Sequence, residues 1–251
     1  MELVICDTPE EIASLAADRI EALIQAKPNA VLGTATGSSP LPLYDELARR
    51  CDEGRISFAG VTGFMLDEYV GLEEKHPERY ANFMETNLRS RIDMPKGALQ
   101  GPDALNVDPQ AACREYEEKM AQAGYCDLQI LGIGSDGHIG FNEPGGSLQS
   151  RTHLGVLTEQ TRSDNARFFN DDIDAVPTHC ITQGLYTIMQ ARQLLLIATG
   201  ENKAKAIAQL IEGPISAAWP ATIMQMHPEA VVFVDPAAAS LLEHAGPEGW
   251  K

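Results

Sequence analysis

Short apolar runs, each followed by an amphipathic stretch, recur along the chain, and this alternation restricts the fold more than any other feature of the sequence. Residues 2–6, 30–33, 61–66, 127–132, 193–198 and 231–234 read as strands. After the first run, Thr8 can cap a helix, Pro9 suits its first position and Glu11 completes a capping box. In that helix Ile12, Leu15, Ala16, Leu23 and Ile24 fall near one face. Further helices are expected over residues 40–50, from Asp108-Pro109 to about residue 123, after a Gly200-led turn through Lys203, Ala206, Ile207 and Leu210, and in the Ala- and Leu-rich stretch after residue 234. Residues 147–190 show no dominant period. Strands alternating with helices predict a doubly wound α/β fold: a mostly parallel open sheet with helices on both faces, Rossmann-like and three-layered. Short apolar strands without strict alternation fit, because both of their faces would be buried.

Ligands of such sheets sit beyond the carboxyl ends of the strands, where the strand order reverses. Polar, glycine-rich segments should therefore follow strands directly. Residues 34–40, 67–71, 134–146 and 199–203 all do. No repeat, low-complexity tract or Ser/Gly linker interrupts the 251 residues, so one domain over residues 1–251 is expected.

The 36 acidic and 19 basic residues give a net charge of −17, which argues against nucleic-acid and anionic-membrane partners. A small anionic substrate would need local cations or backbone N–H groups against that overall field. The five cysteines are scattered and form no Cys-x-x-Cys pair, so neither a zinc site nor a disulfide framework is expected. The N-terminus is acidic from Glu2 and lacks the pattern of a signal peptide, and the longest aliphatic run is too short to span a bilayer, so the cytoplasm is the expected compartment.

Three segments have the composition for chemistry. Thr36-Gly37-Ser38-Ser39-Pro40 joins a strand to a helix, and its hydroxyls and the helix's free N–H groups suit a phosphate, although no Walker-type Gly-Lys-Ser/Thr follows. An ordinary turn capped by Ser39 suits the same residues. Asp67 and Glu68 close a strand beside Phe64 and Leu66. They read either as a solvated pair or as a general base raised by apolar neighbours. Residues 132–146 match Gly-x-Gly-x-x-Gly at Gly132, Gly134 and Gly137, but the chain reaches Asn142-Glu143-Pro144 without an intervening helix, which excludes a dinucleotide fingerprint. What remains is Asp136, His138 and Glu143 on one glycine-rich loop. A histidine flanked by carboxylates can act as acid and base near neutrality. One histidine and two carboxylates could also ligate a metal, but no second histidine shares the loop. Arg167 and Lys203 are candidate partners for an anion.

Residues 64–72, 132–144 and Ser150-Arg151-Thr152, in this order and spacing, resemble the glucosamine-6-phosphate deaminase family over nearly the whole chain. Asp136-Gly137-His138 alone is shared with the 6-phosphogluconolactonases of the same superfamily, whereas the continuation through Phe141-Asn142-Glu143-Pro144 is more specific to the deaminases. The resemblance implies conversion of D-glucosamine 6-phosphate and water to D-fructose 6-phosphate and ammonia, with no cofactor and no metal. It implies that His138 opens the pyranose ring, oriented by Asp136 and Glu143, and that Asp67 carries a proton from C2 to C1. Thr36, Gly37, Ser38, Ser39, Gly137, Arg167 and Lys203 would bind the substrate. Allosterically activated hexameric relatives carry basic residues just after the Ser-Arg-Thr segment, where this chain has His153-Leu154-Gly155. A short, non-allosteric enzyme, monomer or small homo-oligomer, is therefore implied. A lactonase or isomerase of the superfamily and a catalytically dead sugar-phosphate sensor are the competing readings. A lactone needs no base at C2, and a sensor would lack the acid–base groups.

Overall fold

The structure is a computed structural model that describes residues 1–244. In chain order its elements are β1 (Glu2–Ile5), α1 (Pro9–Ala26), β2 (Val31–Thr34), α2 (Leu41–Asp52), β3 (Thr62–Met65), β4 (Asp67–Val70), α3 (Tyr80–Asn87), β5 (Leu99–Gln100), α4 (Pro109–Gln122), β6 (Leu128–Leu131), β7 (His153–Val156), α5 (Glu159–Asn165), β8 (His179–Thr182), α6 (Leu185–Met189), β9 (Leu194–Ala198), α7 (Ala204–Glu212) and β10 (Ala230–Val234). Each residue of β2, β6, β9 and β10 is buried, as expected of strands covered on both faces.

Seven strands form one sheet in the order β1-β10-β9-β6-β2-β3-β5, and each pairing in it is parallel. With its helices this is the expected α/β architecture. From β2 the chain builds outward through β3 and β5, then returns to place β6 on the other side of β2. The reversal lies between β2 and β6, so the loops leaving those two strands diverge and open a crevice.

Sequence and structure part at four places. Asp67–Val70, expected as a loop, is a strand of a second sheet, in which β4 and β7 each pair antiparallel with β8. Residues 147–190, which lacked a clear period, supply β7, α5, β8 and α6 around it. In α1 the Thr8 hydroxyl accepts from Glu11 N at 3.1 Å, but the Glu11 carboxylate reaches Asp7 N (2.9 Å) instead of closing the box on Thr8. The face α1 buries runs through Ile12, Ala13, Ala16, Ala17, Ile20 and Ile24, leaving Leu15 exposed and Leu23 half-buried. After β10 the expected helix is replaced by turns. The Asp235 carboxylate accepts the N–H of Ala238 (2.7 Å) and of Gly200 (3.0 Å), which ties the chain to the loop after β9. Among the described residues no helix is long and apolar enough to cross a membrane.

Candidate active site

The loop after β2 is pinned at its start. The Tyr44 hydroxyl donates to Ala35 O (2.6 Å) and accepts from Ala35 N (3.1 Å), which fixes the chain as it enters Thr36-Gly37-Ser38-Ser39. Gly37 turns it with φ +97°. Ser39 does not cap α2: Pro40 holds the cap position and no side chain bonds the opening N–H groups. Leu41 N donates to Ser38 O (3.4 Å) and Pro42 has no N–H, so what this segment offers an anion is the loop itself, whose Thr36, Gly37, Ser38 and Ser39 line the crevice.

Two cations reach the same crevice from distant parts of the chain. Arg167 comes from the short turn after α5, its guanidinium 4.7 Å over the Phe168 ring, and Lys203 lies at the start of α7. Among the described residues neither has a carboxylate within ion-pair distance. Burial and the neighbouring Arg167 lower the Lys203 ammonium from its usual value, while Asp164 and Asp136 pull it back up. In a chain of net charge −17, two cations without such partners in one crevice are poised for an anion from outside.

The loop after β6 folds tightly back on itself, with Gly134 N donating to His138 O (2.9 Å) and Gly137 N to Gly134 O (3.0 Å). A Cβ on Gly134 would lie 2.3 Å from His138 Cε1, so the imidazole rests where only glycine leaves room. Gly137, at φ +84°, instead packs against Trp219, which a Cβ would meet at 2.6 Å, and it does not line the crevice. His138 Nδ1 lies 2.7 Å from Asp136 Oδ1 and 3.8 Å from Glu143 Oε2. Burial pushes the Asp136 carboxyl up, but hydrogen bonding and charge from His138 outweigh it, and the group is held below the usual aspartate value. Glu143 is anchored through its other oxygen, which accepts from the hydroxyls of Thr161 (2.6 Å) and Thr158 (3.3 Å). Glu143 Oε2 is buried without a hydrogen-bond partner, 3.8 Å from the same Nδ1 that Asp136 faces at 2.7 Å. A buried carboxylate oxygen left without a partner beside an imidazole suits a ligand or a moving proton.

Asp67 and Glu68 are not the solvated pair that their loop-like sequence allowed. Pairing of β4 with β8 buries both, at 5% and 1% exposure. Glu68 points away into protein and accepts backbone N–H groups from Tyr69, Tyr80 and Ala81. Asp67 lines the crevice and accepts no hydrogen bond among the described residues. Burial, reinforced by the neighbouring Glu68 charge, raises its carboxyl well above the usual aspartate value.

These groups converge on one cavity of about 160 Å³, lined among others by Thr36, Gly37, Ser38, Ser39, Asp67, His138, Arg167 and Lys203. Asp136 and Glu143 support His138 from behind. Sequence reasoning missed Tyr80 and Phe83 of α3 and Thr161, Asp164 and Asn165 of α5, which also line the cavity. Only Tyr80 carried a local signal, an aromatic at the start of a short helix; the others are brought in by tertiary packing.

Residues 7–233 match the family described as glucosamine-6-phosphate isomerases/6-phosphogluconolactonase. A glucosamine-6-phosphate deaminase from Mycolicibacterium smegmatis is 60% identical over 97% of this chain and 93% of its own length. One from Beutenbergia cavernae is 58% identical over 98% and 94%. A solved monomeric glucosamine-6-phosphate deaminase superposes with a TM-score of 0.94 at 41% identity, covering 96% of this chain and 100% of that one. The 6-phosphogluconolactonase of Trypanosoma cruzi shares the fold, with a TM-score of 0.77 at 20% identity. The chain belongs to the glucosamine-6-phosphate isomerase/6-phosphogluconolactonase family.

Proposed function

We propose that this chain is a glucosamine-6-phosphate deaminase, a cytoplasmic enzyme of amino-sugar catabolism that converts D-glucosamine 6-phosphate and water to D-fructose 6-phosphate and ammonia. The observation that carries this reading is the sharing of one cavity by a buried base, Asp67, and a carboxylate-supported imidazole, His138, opposite two cations without carboxylate partners. Opening a lactone would leave Asp67 without a task; moving a proton beside a carbonyl requires such a group. The curated relatives that share half or more of their residues with this chain carry the same activity in their names.

Phosphate binds at Thr36, Gly37, Ser38 and Ser39 with Arg167 and Lys203, which anchors the sugar and places its ring between His138 and Asp67. His138 takes the proton of the C1 hydroxyl and delivers one to the ring oxygen, so the pyranose opens to the aldehyde. Asp136 and Glu143 hold the imidazole and stabilise its charge while the proton is on it. Asp67 then removes the C2 proton, giving an enolamine, and returns it to C1. The product is the imine at C2; water adds there and ammonia leaves, giving the ketone. A carboxylate raised by burial is a stronger base than one in water, which suits the removal of a carbon-bound proton.

The test is release of ammonia and fructose 6-phosphate from glucosamine 6-phosphate, for the wild-type protein beside Asp67→Asn. Equimolar products from wild type, with turnover lost but substrate still bound in the variant, are expected. A folded wild-type protein that binds the sugar phosphate and releases no ammonia would overturn the reading. The enzyme is read as a monomer or small homo-oligomer without allosteric control, so N-acetylglucosamine 6-phosphate should leave its rate curve unchanged. A sigmoidal curve made hyperbolic by that ligand would contradict this.

A further inference from the structure

Glu68 stands beside the reacting carboxylate and has no part in the chemistry described above. It is 1% exposed, yet it is the meeting point of two elements. One oxygen accepts from Tyr69 N and Tyr80 N and the other from Ala81 N, each at 2.9 Å. The first bond fixes the backbone of β4 immediately after Asp67. The other two satisfy opening N–H groups of α3, whose cap residue, Arg79, offers no side-chain bond of its own. Tyr80, the first residue of α3, thereby comes to the cavity wall, its ring 4.7 Å from Tyr69 and stacked on Phe141 at 6.0 Å.

The charge balance is unusual. The Arg79 guanidinium lies 3.7 Å from Glu68, and its Nε is buried without a hydrogen bond, so it faces the carboxylate as a charge and not as a bonded partner. Other titratable groups that interact with Asp67 are Tyr69 of β4, Tyr80 of α3, Tyr116 of α4 and Cys180 of β8. Burial raises all four, so they are neutral near pH 7, and Glu68 is the one carboxylate among the groups acting directly on Asp67; burial raises Glu68 too, while its three N–H donors and Arg79 favour its charged form.

We propose that Glu68 is a positioning residue of this site: its three backbone bonds set Asp67 and Tyr80 against each other and hold a second carboxylate beside the reacting one. This rests on the reading of Asp67 as the base, and it assigns the second carboxylate of the Asp67-Glu68 pair a task distinct from the first. Arg79, 3.7 Å from the Glu68 carboxylate, offsets part of its charge.

Carbon-13 NMR of protein labelled at aspartate side-chain carboxyls follows Asp67 directly, with its resonance identified by its absence in Asp67→Asn. In Glu68→Gln the Asp67 titration midpoint should fall by about one pH unit, because an adjacent anion is gone. In Arg79→Met it should rise, because a cation is removed while three N–H donors still hold Glu68. Opposite movement in the two variants is a signature that packing alone cannot produce. Glu68→Asp keeps the charge but loses reach, so the midpoint should stay while kcat falls several-fold. A folded Glu68→Gln whose Asp67 midpoint matches wild type would overturn the proposal. If that variant fails to fold, Arg79→Met decides it, and a midpoint that stays or falls there is contradictory. The titration does not use turnover, so a protein that released no ammonia would fail the proposed function without deciding the role of Glu68.

Discussion

Two regions of the cavity wall each carry an aspartate, one behind His138 and one facing the cavity, and they treat it in opposite ways. On the loop after β6, Asp136 lies beside His138 and is held ionised, its carboxyl lowered by the imidazole against the effect of burial. At the junction of β3 and β4, Asp67 is enclosed by apolar and aromatic side chains with another anion next to it, and it is raised. The residue type is the same and the surroundings divide the labour. In the mechanism we propose, one carboxylate is a charge that steadies an imidazole, and the other is the base that takes a proton from carbon.

The largest expected effect separates the two regions by chemistry. Asp67→Asn should lower kcat by about a thousandfold or more with substrate binding retained, as loss of a general base does. Asp136→Asn should cost less, about a hundredfold, because His138 remains and only its support is lost. Equal losses in the two variants would erase the distinction. A third variant acts on the loop from the side: Gly134→Ala puts a methyl where the imidazole rests and should reduce turnover while leaving the Asp67 titration where it was.

Cations come next. Lys203→Gln and Arg167→Gln should each raise KM by about tenfold to a hundredfold, the worth of one charge-assisted hydrogen bond to phosphate. Neither should change kcat much, since phosphate binds equally before and during the reaction.

The smallest effect is on stability, and its sign differs between the regions. Because Asp67 is raised on folding, the folded protein holds a proton that the unfolded chain has already released. Its contribution to stability therefore declines as pH rises from the ordinary aspartate value through the raised one. Asp67→Asn should raise Tm at neutral pH by about 3–6 °C, with the gain vanishing in acid. For Asp136 the unfolded chain binds the extra proton, so its contribution is complete above the ordinary aspartate value and lost as pH falls through the lowered one. Asp136→Asn should lower Tm at neutral pH by about 2–4 °C. Melting curves of the two variants moving in the same direction at neutral pH would contradict this account.

The loop after β6 was far more legible in the sequence than the β3–β4 junction. Its glycines and its three titratable groups lie within one continuous stretch, so composition alone marks it. The parallel strands were equally plain, since burial on both faces selects unbroken aliphatic runs such as Leu194–Ala198. β4 was hidden because Asp67-Glu68-Tyr69-Val70 has the polarity of a loop. It is a strand only because β8, more than a hundred residues later, pairs with it, and because three backbone N–H groups receive Glu68. The anchors of Glu143 were hidden for the same reason: Thr158 and Thr161 are set by how α5 begins, in a segment without a clear period. Gly137 belongs to the telling motif, but its packing against Trp219, which leaves no room for a Cβ, could not be read from the sequence.

The central claim is that one buried carboxylate carries the proton from C2 to C1. Glucosamine 6-phosphate bearing deuterium at C2 tests it directly, by mass spectrometry and NMR of the fructose 6-phosphate formed. A base shielded from water should deliver part of that deuterium to C1 of the product, with slower turnover than the unlabelled substrate. Product that carries no deuterium, formed at the same rate as from unlabelled substrate, would contradict the claim.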